Sequence, residues 1–440
     1  MLVDFDLMEG NMEYRKTVSV HSEWDVVVCG AGASGICAAI AAARLGMRVM
    51  LVERYGAVGG SLTFGNVTTI MGDVAKGSIR DEIARLLKSP NPSTGVDNDD
   101  AKGKLTALLD EAGVTFRLQT PVVDAYVEDG EIKGVFVLTQ KGMMLIKGKR
   151  VIDATGDGFV SFLAGCDVMV GRDEDGLVQP SSLMYTIDGI DENVTLVCNH
   201  EEHYTHFPDG REYLSMCKKA AEEGRLPENV TIVRLYATGR KGERLVNATQ
   251  MNGVNILNDG DAEKSEIELR KQMDLVNRFL REEVPGFQNI RVRMSASTLG
   301  VRESRRIKGK YILTGEDLVA GRRFPDVVVH KANFCIDIHN PKGGGQAETD
   351  GLPHIAQPYD IPMRSLIPEK VDNLVLAGRI ISGEHRAHAS YRVMNIAMAI
   401  GQAAGTMAAV SVRENENISH LNYAKVRASL LEQGCTLEDK

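Results

Sequence analysis

Apolar and polar positions alternate along this chain in two distinct registers. Val26 to Cys29 is an unbroken apolar run, the pattern of a parallel strand covered on both faces. It passes through "GAGASG" into an alanine-rich stretch that predicts a helix to Leu45, and Arg48 to Val52 predicts a second buried strand ending at Glu53. Further on, "TPVVDAYVEDGEIKGVFVLTQKGMMLIKGKRVIDATGD" alternates with a period of two around an Asp129-Gly130 turn and predicts a β-meander closing on an apolar strand. Near the C-terminal end, "VDNLVLAG" predicts another strand and "VMNIAMAIGQAAGTMAAVSV" a long helix of small residues.

Between Asp157 and about Ser295 the texture changes. "SSLMYTIDG" and "TIVRLYATG" read as strands, and "HEEHYTHFPDGREYLSMCKKAAEEGRLPENV" as loop and helix. Ala262 to Glu283 carries Leu269, Met273, Val276 and Leu280 at helical spacing and stops at Pro285-Gly286. Residues 89–100, "SPNPSTGVDNDD", predict a mobile acidic loop. The expected architecture is α/β: a Rossmann-like domain, parallel sheet plus β-meander, formed by residues 1–178 and 296–440. An inserted α+β cap over 179–295 would leave a cleft against it, bordered by loops in 330–360.

The chemistry starts at Gly30-Ala31-Gly32-Ala33-Ser34-Gly35, a G-x-G-x-x-G placed between strand and helix. There Gly30 permits a tight turn, Gly32 lets a pyrophosphate approach the backbone, and Gly35 lets the helix lie close to the strand. Glu53, 23 residues after Gly30, is placed to accept hydrogen bonds from a ribose. Gly59-Gly60 then offers bare backbone a second time, where a ligand longer than a nicotinamide dinucleotide would run.

Four segments together, "DVVVCGAGASGICAAIAAARLGMRVMLVERYGAVGGS", "GVRESRRIKGKYILTGEDL", "YDIPMRSLIPEKVDNLVLAGRIIS" and "HRAHASYRVMNIAMAIGQAAG", resemble the FAD-dependent oxidoreductases allied to fumarate reductase flavoproteins. Their FAD-binding start is similar to that of glutathione-reductase-like flavoproteins. The resemblance implies FAD held by the first glycine turn with Ala33 and Ser34, by Glu53 and Arg54, and by Gly59, Gly60 and Ser61. It implies a backbone contact from Val122 to adenine and a second contact turn at Ala154, Thr155, Gly156 and Asp157. Gly378 and Arg379, with Met394 and Asn395 opening the last helix, would meet the flavin end, towards which that helix aims its positive pole. Gly401 and Gly405 give the same helix a plainer role in close packing. Ser61 stands where relatives carry a flavin-bonded histidine, which implies noncovalent FAD, and the single G-x-G-x-x-G leaves NAD(P)H without a dedicated site.

A flavin carries the electrons, so the protein's part is to orient substrate, balance charge and move protons. Arg302-Glu303 is similar in order to the arginine–aspartate pair of fumarate-reductase-like enzymes, whose arginine is an acid, and reads equally as an ion pair bracing two domains. His388 and Arg392, four apart, are similar to the H-x-x-x-R segment whose arginine grips a carboxylate. Arg392 is the anion-binding candidate, since its fork suits a carboxylate. His385 is the proton-transfer candidate, with a structural histidine as the alternative. His330, His339 and His354 flank "NPKGGG", a flexible lid in appearance, and no metal is expected.

Composition narrows the partners. The formal charge of -9 and the lack of long Lys/Arg runs argue against nucleic acid. "MLVDFDLMEGNMEYRKTVSV" lacks the pattern of a signal or anchor, and the C-terminal apolar helix contains Asn395 and Gln402, so a cytoplasmic, non-membrane protein is expected. Seven scattered cysteines without a C-x-x-C pair fit reduced thiols. The expected activity is hydride transfer between a small carboxylate-bearing substrate and flavin, with an unassigned electron donor or acceptor; a homo-oligomer stays open. A flavin dehydrogenase of a sugar or hydroxy compound, an FAD-binding electron-transfer subunit and a nonredox flavin protein are the alternatives.

Overall fold

The computed structural model describes residues 17–88, 95–199, 205–344 and 355–439. Its main sheet has the order β3-β2-β1-β6-β5-β4, formed by β1 (Ser19–Cys29), β2 (Val49–Val52), β3 (Thr115–Arg117), β4 (Val122–Glu128), β5 (Glu131–Thr139) and β6 (Gly142–Asp153). The apolar run at Val26 to Cys29 forms only the end of β1, which starts at Ser19 and pairs with β6 across an irregularity between His21 and Trp24. β6 serves two halves of the sheet. Its start pairs antiparallel with β5 as the end of the meander, and on its other side it pairs parallel with β1 from Met144 to Asp153. The Asp129-Gly130 turn sits between β4 and β5, both residues at positive φ.

Helix α1 (Ala33–Arg44) follows β1 and is buried along most of its length. Two helices, α2 (Ile79–Leu86) and α3 (Asn98–Glu111), separate β2 from β3. The expected loop at 89–100 is corrected in its last part: Asp97 accepts the amides of Asp99 and Asp100, so these acids form the first turn of α3, where negative charge suits the helix end. Residues 89–94 of that stretch lie outside the described residues. Beyond β6 come α4 (Phe159–Leu163) and β7 (Val168–Val170).

A second, antiparallel sheet of order β11-β8-β10-β9 follows, built from β8 (Tyr185–Asp188), β9 (Arg234–Ala237), β10 (Arg244–Asn247) and β11 (Arg291–Ser295). With α5 (Tyr213–Glu222) and α6 (Asp261–Glu283) it encloses its own apolar core, where Tyr185, Tyr213, Val276 and Leu280 are fully buried. Of the helical spacing read over Ala262 to Glu283, Met273, Val276 and Leu280 pack in this second core, while Leu269 joins Leu183 and Ala296 in a small separate one.

The chain returns through β12 (Arg305–Ile307), which pairs with β7, then α7 (Gly315–Val319), β13 (Val327–Ala332) and β14 (Tyr359–Pro362). β15 (Leu374–Leu376) joins the main sheet parallel to β6. Three helices close the fold: α8 (His385–Tyr391), α9 (Met394–Glu414) and α10 (Tyr423–Glu432). α9 is the one described helix long and apolar enough to cross a membrane by length and composition, and 89% of its apolar window is buried inside the protein. It lies against α1: a Cβ on Gly401 would come 2.0 Å from the Ser34 carbonyl oxygen, and one on Gly405 2.2 Å from that of Ala38. Close packing thus explains both glycines.

Candidate active site

A cavity of about 520 Å³ opens beyond the C-terminal ends of β1, β2, β6 and β15, lined there by Gly30, Glu53, Ala154 and Gly378. In parallel sheets this is where ligands bind. The three glycines after β1 each serve a separate need. Gly30 has φ +100°, and a Cβ there would sit 2.5 Å from the Ala154 carbonyl oxygen. A Cβ on Gly35 would strike the Gly30 oxygen at 1.8 Å, so Gly35 shapes the turn from behind and does not line the cavity. At Gly32 the nearest heavy atom to an added Cβ is 3.9 Å away, on Gly60, so the missing side chain leaves open cavity.

Glu53 is 5% exposed; its Oε2 accepts the Ala31 amide at 2.6 Å and its Oε1 the Tyr55 amide at 2.9 Å. These bonds fix the carboxylate at the cavity wall, and each oxygen can accept one more. Gly59 and Gly60 also line the cavity, yet part of their reason is internal. A Cβ on Gly59 would meet the Thr63 side chain at 2.4 Å, and one on Gly60 would meet Gly32 Cα at 2.8 Å. Ala33, Ser34, Arg54, Ser61 and Val122 are in the wall, as are Thr155, Gly156, Asp157, Arg379 and Met394. Asn395 is not; its side-chain amide donates to the Gly72 carbonyl at 2.7 Å.

Asp157 ties the second contact turn together. It accepts from Arg379 Nη2 and Ser304 Oγ, both at 2.9 Å, and lies 3.6 Å from Arg54 Nη2. Burial opposes its ionisation, but the charges of Arg379 and Arg54 together with the hydrogen bonds from Ser304 and Arg379 hold its carboxyl below the usual carboxylate range. At the N-terminus of α9, Val393 offers no side-chain cap, and Met394 and Ala397 face the cavity.

Arg302, Asp337, His339 and Arg392 meet in a buried charged cluster behind the cavity. Arg392 is in the wall; its Nη2 donates to the Asp337 carbonyl oxygen at 3.0 Å and lies 3.3 Å from Asp337 Oδ2. Its Nε is buried and makes no hydrogen bond among the described residues. Arg302 donates to the Pro180 carbonyl oxygen at 2.6 Å. Burial, and then the charge of Arg392, disfavour the Arg302 cation; burial likewise disfavours Arg392, with Asp337 opposing. Asp337 is held well below the usual carboxylate range despite its burial by His339, Arg392 and Arg302. His339 is pushed down to about 4, chiefly by burial and then by Arg302. Two guanidiniums thus share one carboxylate and a neutral histidine, an excess of positive charge at the cavity.

Arg302 and Glu303 do not pair, which corrects the reading of that dipeptide as one ion pair. Glu303 points away from Arg302's partner and accepts from Arg306 Nη1 at 3.0 Å and from the Gln179 amide at 3.0 Å, with His385 Nδ1 2.9 Å away. Consecutive residues here serve opposite sides of the backbone. His385 is 6% exposed, and neither it nor Arg302 is in the cavity wall. His330 is buried against Asp360 at 2.8 Å, and His354 lies outside the described residues. The described part of "NPKGGG" is tied to the second sheet's side, Asn252 Nδ2 donating to the Asn340 carbonyl at 2.8 Å; Gly345 is outside the described residues. Asp337 and Gln179 went unmarked in the sequence, because a lone acid or amide between apolar residues has no motif.

The family described as FAD dependent oxidoreductase matches residues 25–430. Among curated proteins, a thiamine thiazole synthase from Aeropyrum pernix is 30% identical over 179 residues, which make up 39% of this chain and 66% of that protein. A solved geranylgeranyl bacteriochlorophyll reductase-like protein from Thermoplasma acidophilum superposes with a TM-score of 0.51 at 14% identity, over 95% of this chain and 85% of that one. An anhydrotetracycline hydroxylase from Streptomyces rimosus aligns with a TM-score of 0.47 at 12% identity, over 94% and 66%. The Thermoplasma structure is a likeness of fold.

Proposed function

The chain belongs to the FAD dependent oxidoreductase family, and from that premise we propose that it oxidises or reduces a small carboxylate-bearing substrate by hydride exchange with noncovalent FAD. Bound FAD supplies the hydride acceptor or donor, at N5 of its ring. The residues present fit it: the open face of Gly32, the fixed Glu53 carboxylate and the α9 N-terminus all border one continuous cavity. Gly30, Gly32 and the start of α1 would take the pyrophosphate, and Glu53 the ribose. Ser61 in the wall has no nitrogen with which to hold the ring covalently.

The observation that carries the substrate reading is the charge imbalance at Arg302, Arg392 and Asp337. Arg392 borders the cavity, and Asp337 fixes one edge of its guanidinium, which suits an anion. Arg302, one layer behind, adds field without contact. The absence of disulfides among the seven cysteines accords with a cytoplasmic setting.

The test is anaerobic reduction of the holoenzyme by candidate hydroxy and saturated acids, with matching alcohols and sugars as controls. An acid should bleach the flavin, and in Arg392→Ala the half-saturating concentration should rise roughly 10- to 100-fold, the loss of a charged hydrogen bond of about 1.5–3 kcal/mol, with FAD content unchanged. Bleaching by an uncharged sugar or alcohol, insensitive to Arg392, would instead establish the hydroxy-compound dehydrogenase. Turnover of the single chain with an artificial acceptor separates both from an electron-transfer subunit.

A further inference from the structure

The two sides of the cavity differ in chemistry. The wall around the glycine turns and α9 carries all of the charge, Glu53, Arg54, Asp157, Arg305, Arg379 and Arg392, among bare backbone and apolar residues such as Val52, Val122, Phe159 and Met394. Between Phe159 and Arg305, by contrast, only Ile256, Leu257, Thr298, Leu299 and Val301 contribute to it. Four of these five are aliphatic and none is charged. They come from the loop before α6 and the segment after β11, so they form one lip of the second sheet's layer.

That lip is held in place. Leu299 packs on a small core of Leu183, Leu269 and Ala296. The Ser297 amide donates to the Phe64 carbonyl at 2.8 Å, tying the segment to the glycine-pair loop. Asn255 and Asn258 bond Asp261 at the start of α6, which fixes the loop carrying Ile256 and Leu257. Ile256, Leu257, Leu299 and Val301 are only partly buried although the protein has ample core to receive them. A small polar acid gives such a wall nothing to bury, whereas an aliphatic body would remove both surfaces from water.

We propose that the substrate is a monocarboxylate with an aliphatic body: its carboxylate meets Arg392, and its chain lies on the Ile256, Leu257, Leu299 and Val301 wall. This deepens the carboxylate reading above and rests on it. Specificity then lies in the lip, while charge recognition lies at Arg392.

The experiment titrates the FAD-loaded protein with acetate, butyrate, hexanoate and octanoate, and with glutarate and hexanol, following the flavin absorption spectrum. Each added methylene should tighten binding about three- to fourfold until the wall is covered, glutarate should bind more weakly than hexanoate, and hexanol more weakly than hexanoate. Leu257→Asn should flatten the series with FAD content unchanged, and the milder Leu257→Ala should weaken it in the same direction. Equal affinity along the series, or tightest binding by glutarate, overturns this inference and leaves the anion reading standing. Loss of FAD from both Leu257 variants assigns the wall to the cofactor and likewise overturns it. No response to any carboxylate, with hexanol bound, removes the anion reading itself.

Discussion

Glu303 offers the sharpest test of how the site is held. Its side chain is fully buried beside Arg306, which is 2% exposed, and the two touch at 3.0 Å. Replacing Glu303 by Gln keeps the volume but turns one of its two acceptor oxygens into an NH2 donor and removes the charge facing Arg306 and His385. At an effective dielectric of about 20 the lost attraction at that distance is roughly 5 kcal/mol gross. Part of it is returned because the ionised carboxylate no longer has to be desolvated, so the expected net loss is about 3–5 kcal/mol, the usual cost of breaking a buried pair. Urea unfolding followed by Trp24, the only tryptophan, reads it directly, since Trp24 lies in β1 of the main sheet. Arg306→Met in the Glu303→Gln background should recover most of the loss, because both buried partners are then removed together. A single variant within about 1 kcal/mol of the parent, or a double variant whose loss is the sum of the two singles, would refute the reasoning.

Two further outcomes follow from the same geometry. Gly32→Val should fold, because Gly32 has an ordinary φ of -75° and open space beside it, and should purify without FAD; full flavin absorbance in that variant would mean the first glycine turn does not carry the cofactor. His339, neutral when folded, has its pKa depressed from 6.5 to about 4, so the unfolded chain binds the extra proton first. Its contribution is intact above about pH 6.5 and is lost as pH falls towards 4, by up to about 3 kcal/mol. His339→Gln should reduce the difference in unfolding free energy between pH 7.5 and 4.5; an unchanged difference would place the acid sensitivity elsewhere.

Local patterns made the nucleotide half readable. The apolar run before Gly30, the spacing to Glu53 and the alternation from Val122 to Asp153 each report constraints that act within a few residues: two-sided burial, a positive φ, a strand period. Even there the neighbours added reasons that no pattern carries. Gly401 and Gly405 are required by Ser34 and Ala38, more than 360 residues earlier in the chain, and Gly60 by Gly32. Asp97 also shows the limit, since the same acids that suggest a loop form a helix start once a cap is available.

The charged cluster belongs to the other category. Sequence order made Arg302 and Glu303 a natural pair, but tertiary packing gave Glu303 to Arg306 and His385 and Arg302 to the Pro180 carbonyl. It also brought Asp337 to Arg392 and left His385 behind the cavity wall. Sequence alone determined that a strand, a glycine turn and an acid would meet at one cavity, because those forces are local. Only the tertiary structure decided which buried charges share a counter-ion and which wall stays apolar, because burial and Coulombic balance depend on neighbours brought from distant parts of the chain.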